Sequence, residues 1–126
     1  MEKLILNRAI TTYGEDAQSD KAVEEAAELI KALMKFKIAT NDSKTSTKTL
    51  MRRVNDVIDE ISDVDIMIQQ LKIIFGEADV EKRKRFKLRR LDRKLSDLDD
   101  FNPNPFFLQN FYTVYFKYWY NINISF

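Results

Sequence analysis

Apolar residues recur at intervals of three and four along most of this chain, and the interruptions fall at a few sharply polar points. Ala22, Ala26, Leu29, Ile30, Leu33 and Met34 share one side of a helix over residues 20–38. Val54, Val57, Ile58, Ile61, Val64, Ile68, Leu71 and Phe75 keep the same period over 50–75, and Gly76 ends it. A shorter helix over 2–13 comes first and stops at Tyr13-Gly14, with Gly14 as its C-cap. Residues 15–19 read as a link whose Asp16 or Ser19 caps the next helix. The stretch 40–49 has no large apolar residue and reads as a polar loop. Residues 78–100 form a fourth helix, dense in charge, on Phe86, Leu88, Leu91, Leu95 and Leu98. The pattern predicts an all-α, four-helix bundle-like domain over 1–100.

Composition agrees and narrows the chemistry. With 126 residues the chain suits one domain, and only two Gly and two Pro leave little material for the turns of a β architecture. It has no Cys and no His. Disulfides, thiolate nucleophiles, zinc–sulfur sites, imidazole-based triads and imidazole metal sites are therefore excluded. Any catalysis falls to carboxylates, Lys, Arg, Tyr or a metal with oxygen ligands such as Mg²⁺, Mn²⁺ or Ca²⁺. The net charge of +1 argues against a general binder of nucleic acid. Residues 1–10 carry charges and lack the apolar core of a secretory signal, so a cytoplasmic location is expected.

Two local features depart from this balance. Residues 81–94 carry nine Lys and Arg, from Lys82 to Lys94, on the fourth helix. The simpler account is a solvated face that offsets the acids of the second and third helices; the other is contact with phosphate or nucleic acid. Residues 101–126 hold eleven aromatics and five Asn, with Lys117 as the single charge. Three readings of this tail stand: an arm packed on a partner subunit, a segment at a membrane interface that lacks the usual basic face, or weakly evolved read-through sequence.

The acids have a pattern of their own. Glu24, Glu25 and Glu28 lie within one helical turn, and Glu60 and Asp63 repeat the i,i+3 spacing on the third helix. If the two helices pack side by side, four carboxylates converge, and they cannot all stay ionised without compensation. A divalent cation supplies it, and a magnesium-like ion brings phosphate substrates with it. On spacing alone, a solvated acidic surface is the simpler reading. The charge order argues the other way: Glu60 and Asp63 lie near Asp56 and Asp59 with no Lys or Arg within four residues, an arrangement that destabilises an isolated helix.

Glu-Glu-x-x-Glu at 24–28 followed by Glu-x-x-Asp at 60–63 resembles the MazG-like all-α nucleoside triphosphate pyrophosphohydrolases. The flanking Tyr13-Gly14, Gln18, Lys21-Ala22-Val23 and Val57-Ile58-Asp59 fit the same pattern, and the resemblance covers about residues 2–95. The 31 residues between Glu28 and Glu60 exceed the gap in many members, and the loop at 40–49 absorbs the excess. The tail has no counterpart.

The resemblance implies hydrolysis of nucleoside triphosphates to monophosphate and pyrophosphate, a housecleaning of the nucleotide pool. It implies Mg²⁺, with Mn²⁺ as a substitute, held by Glu25, Glu28, Glu60 and Asp63. Glu24 would help orient water or a second ion beside Glu25, which makes these two the expected catalytic acids. Lys21 is the expected phosphate contact, with a structural salt bridge to Glu24 or Glu25 as its alternative, and Gln18 the expected contact to base or sugar. A homodimer or homotetramer is expected, with no stable nucleic-acid binding and no membrane. Two rival readings are a non-enzymatic helical adaptor and a nucleic-acid-binding bundle that uses 81–94.

Overall fold

Two glycines set the places where the chain changes direction without a loop. Gly14 has φ +90° and Gly76 has φ +102°, a region that side-chain-bearing residues rarely adopt. Each donates its N–H to the turn before it, Gly14 to Ile10 at 2.9 Å and Gly76 to Lys72 at 3.0 Å. Each carbonyl then accepts the first bond of the next helix, from Gln18 at 3.1 Å and from Val80 at 3.1 Å. One residue therefore ends one helix and starts another.

The computed structural model describes residues 1–101, which are all-α: α1 (Glu2–Tyr13), α2 (Glu15–Asn41), α3 (Thr47–Phe75) and α4 (Glu77–Phe101). The tail expected from 101 onward lies outside the described residues beyond Phe101. The described residues include no strand, and no described helix is long and apolar enough to cross a membrane.

Helix boundaries differ from the expected ones in two places. The link at 15–19 is the first turn of α2, so neither Asp16 nor Ser19 is its cap. Ser19 instead bonds back to the Glu15 carbonyl at 2.8 Å. Gly14 makes the turn by itself, and Glu15 and Asp16 suit the positive end of the helix dipole. The polar loop shrinks from 40–49 to 42–46. Asp42 closes it by accepting from the Lys44 N–H at 2.9 Å, and Ser46 caps α3 by accepting from the Thr49 N–H at 3.2 Å. Local side-chain bonds of this kind are invisible to hydrophobic periodicity.

The chain divides into two units between Arg83 and Lys84, a point that falls within α4, and the first unit is Met1–Arg83. The expected boundary at 100/101 falls at the edge of the described residues, and the basic run 81–94 straddles the junction of the units. Within Met1–Arg83, α2 and α3 pack as a long antiparallel hairpin, with α1 against both. The ion pairs Lys3–Glu77 and Lys72–Glu81, each 2.8 Å, tie the first turns of α4 to α1 and α3.

The face that α2 turns toward α3 follows a heptad: Gln18, Ala22, Glu25, Leu29, Ala32, Phe36 and Ala39 are buried or half-buried positions. On α3 the matching positions include Val57, Glu60, Val64, Met67 and Gln70. Only Ala32 and Met67 are buried apolar residues among those described, against three buried polar ones, Gln18, Glu25 and Gln70. The expected apolar faces are divided. Ala22, Leu29, Val54, Val57, Val64 and Leu71 line the hairpin, while Ile30, Met34, Ile58, Ile61, Ile68 and Phe75 are exposed. The inward α3 face keeps Val54, Val57, Val64 and Leu71 but takes in Glu60 and leaves Ile61 out, 52% exposed.

Candidate metal centre

The half-buried position of Glu60 on α3 builds the site. Glu25 is 7% exposed at a seam position of α2, where a helix normally places Leu or Ala. Opposite it, one carboxylate oxygen each from Glu25, Glu60 and Asp63 lie within 4.8 Å of one another. Oxygens on opposite sides of an octahedral Mg²⁺ stand about 4.2 Å apart, twice the metal–oxygen distance. The three donors therefore fit one small, hard cation after little side-chain movement.

A second observation points the same way. The Glu60 Oε2 atom is buried and has no hydrogen-bond partner. An unpaired carboxylate oxygen out of water is costly unless something positive compensates it. The cost shows in its protonation: burial pushes the Glu60 carboxyl above its ordinary 4.5, and the charges of Glu28, Asp63, Glu25 and Asp59 push it further.

The structure brings together three of the four expected ligands. Glu28, one turn beyond Glu25, lies outside the triad; it lines a cleft with Glu60 and acts on it through its charge. Glu24 is also outside, exposed and bonded to Lys21 at 3.1 Å. Lys21 reaches Glu25 at 2.6 Å and Glu24 at 3.1 Å, so the salt bridge weighed as its alternative role is formed. These bonds, to Glu25 first and then Glu24, hold the Lys21 ammonium well above the usual lysine range. Gln18 is buried at the start of α2 rather than open to solvent.

Several residues of interest were not singled out by the sequence reading. Gln70 is 3% exposed; its Nε2 contacts the Met67 sulfur at 3.5 Å and its Oε1 has no partner. A cleft of about 280 Å³ opens between α2 and α3 beside the triad, lined by Glu28, Lys31, Lys35, Asp56, Asp59 and Glu60. Its one available signal was the spacing of Lys31 and Lys35 at three and seven residues from Glu28, which is one helical face.

Chemically, the arrangement concentrates acids of one sign in a groove whose walls are helices. Its three carboxylate oxygens lie close enough to share a metal ion. No family model matches the chain, and no curated protein or solved structure matches it.

Proposed function

We propose that the chain is a MazG-like, Mg²⁺-dependent nucleoside triphosphate pyrophosphohydrolase. The single observation that carries this reading is the triad Glu25, Glu60 and Asp63 with an orphaned, buried oxygen on Glu60. An acidic surface patch would spread its carboxylates into water, whereas here one of them is drawn into the helix seam. The motif resemblance supplies the reaction.

Glu25, Glu60 and Asp63 would hold the cation, and Glu28 lies one turn away on the same helix to complete the set. Mg²⁺ there, or Mn²⁺ in its place, supplies charge neutralisation of the phosphoryl oxygens and a lowered pKa for water. Water adds to the α-phosphorus, the bond to the bridging oxygen breaks, and the electron pair leaves with pyrophosphate. Most of the rate would come from positioning and electrostatics. On this reading Glu24, exposed beside Lys21, would orient water or a second ion at the rim, and Lys21 would meet a phosphate oxygen once the cation has engaged Glu25.

The exposed apolar stripes support an oligomer, a dimer or a dimer of dimers. Ile30 is 62% exposed, Ile61 52% and Phe75 69%. A side chain of this type stabilises by roughly 1.5–3 kcal/mol when fully buried, which a second copy would recover.

The test is pyrophosphate release from a panel of ribo- and deoxynucleoside triphosphates, with and without Mg²⁺, beside an E25Q/E60Q variant. Metal-dependent release that the variant lacks establishes the chemistry. Absence of release from every triphosphate, together with no Mg²⁺ uptake, refutes the reading in favour of a helical adaptor.

A further inference from the structure

Four leucines of α4 repeat at spacings of three, four and three: Leu88, Leu91, Leu95 and Leu98. At about 100° per residue they fall within an arc of about 80°. That is narrower than the face a helix turns to a globular core, and it is the width of a coiled-coil seam. All four are between 51% and 62% exposed, and they lie in the unit that begins at Lys84. The stripe spans two heptads, with Leu88 and Leu95 at a and Leu91 and Leu98 at d. Lys84, at the preceding d position, ends it, and Phe86, at f, lies off it.

The charges beside the stripe are sorted by side. Lys87 and Lys94 hold g positions and Asp92 the e position between them. None of the three forms an ion pair among the described residues. We propose that this stripe is the seam of a parallel, in-register coiled coil between α4 and the same helix of a second copy of this chain. In that arrangement g of one heptad faces e of the partner's next heptad, so Lys87 meets the partner's Asp92, twice by symmetry. An antiparallel pair centred on the same leucines sets Asp92 against Asp92 and Lys94 against Lys94, like charges in both places. An anionic membrane or a nucleic acid fits the stripe less well, because Asp92 and Asp97 lie between Leu91 and Leu98, where such a surface calls for basic residues. The contact uses residues other than the exposed stripe of α2 and α3, and it does not depend on the pyrophosphohydrolase reading.

The chain has no cysteine, so a single introduced thiol reports its own neighbourhood. In a parallel, in-register pair, position 95 faces position 95 across the seam, within reach of a disulfide. The full-length L95C variant, oxidised by air with a copper catalyst at micromolar concentration, should form a disulfide-linked dimer at least about tenfold faster than R93C, whose f position faces away. In the L95C background, K87D should slow the cross-link about threefold or more, and K87D/D92K, which exchanges the two charges, should restore it. Circular dichroism on each variant checks that helix content is equal. Cross-linking of L95C no faster than R93C overturns the proposal, and binding of that same sample to phosphatidylserine vesicles would assign the stripe to a membrane instead. An equimolar mixture of L91C and L95C that cross-links to each other faster than either does to itself overturns the parallel arrangement. K87D without effect, or K87D/D92K without recovery, overturns the charge pairing that sets it.

Discussion

Lys21 holds Glu25 at 2.6 Å across one turn of α2, and the same Glu25 faces Glu60 and Asp63 on α3. The order Lys then Glu is the weaker direction for an i,i+4 pair on a helix, so helix stability alone does not account for it. The Lys21 ammonium places a positive charge against the triad. On the proposed reading, a cation entering the triad competes with Lys21 for Glu25, and the displaced side chain would then meet a phosphate.

Replacement of Lys21 by Gln should therefore separate binding from catalysis. Mg²⁺ is expected to bind about two- to fivefold more tightly, the range that exposed ion pairs supply, while KM for the triphosphate rises. The metal-free variant should melt below the wild type, because Glu25 is left buried and unpaired. Calorimetric Mg²⁺ titration and steady-state kinetics on one preparation check all of this; weaker Mg²⁺ binding would contradict it.

Glu60 makes the metal-free protein sensitive to pH in a definite direction. Its carboxyl is raised above 4.5 in the folded chain, first by burial and then by its acidic neighbours. The folded state thus holds a proton that the unfolded state has already lost, so stability falls as pH rises through that window. The melting temperature of metal-free protein should drop as pH rises above about 4.5. The E60Q variant should show a shallower slope and no longer respond to Mg²⁺, whereas in the wild type Mg²⁺ should restore the loss. Parallel slopes in wild type and E60Q would remove Glu60 as the cause.

Gly14 is irreplaceable for backbone reasons alone. A Cβ there would meet no atom within 4 Å, yet φ is +90°. Gly14→Ala should cost roughly 1–2 kcal/mol without any clash, measured by urea unfolding. A change to Ala at an exposed position within α2 would by contrast be neutral or favourable.

The exposed stripe predicts a concentration-dependent assembly. Sedimentation of the wild type should show a dimer or tetramer, and I61E, at a position 52% exposed in the single chain, should shift it toward monomer while helix content survives at low temperature. A monomeric wild type at micromolar concentration would mean that the apolar stripe has another occupant.

Much of this was legible in the sequence because it is local. Helix period, the glycine stops at 14 and 76, and the i,i+3 spacing of Glu25–Glu28 and Glu60–Asp63 each depend on a few consecutive residues. Caps were less legible: Asp42 and Ser46 act through single hydrogen bonds that periodicity does not register. The apolar faces were legible as faces but not in their aim. Periodicity puts Ile61, Ile68 and Phe75 on the apolar side of α3 but does not say which part of that side meets α2, and in the single chain all three are exposed.

The sequence by itself determined that four helices form and that the acids come in pairs one turn apart, since both follow from backbone hydrogen bonding and the helical repeat. Tertiary structure alone decided which side of α3 meets α2. That choice rests on long-range packing, where Ala22, Ala32 and Met67 admit close approach and Glu60 is drawn inward beside Glu25 and Asp63. The inward placement of Glu60 separates an acidic surface from a candidate metal centre, and no local rule of helix formation encodes it.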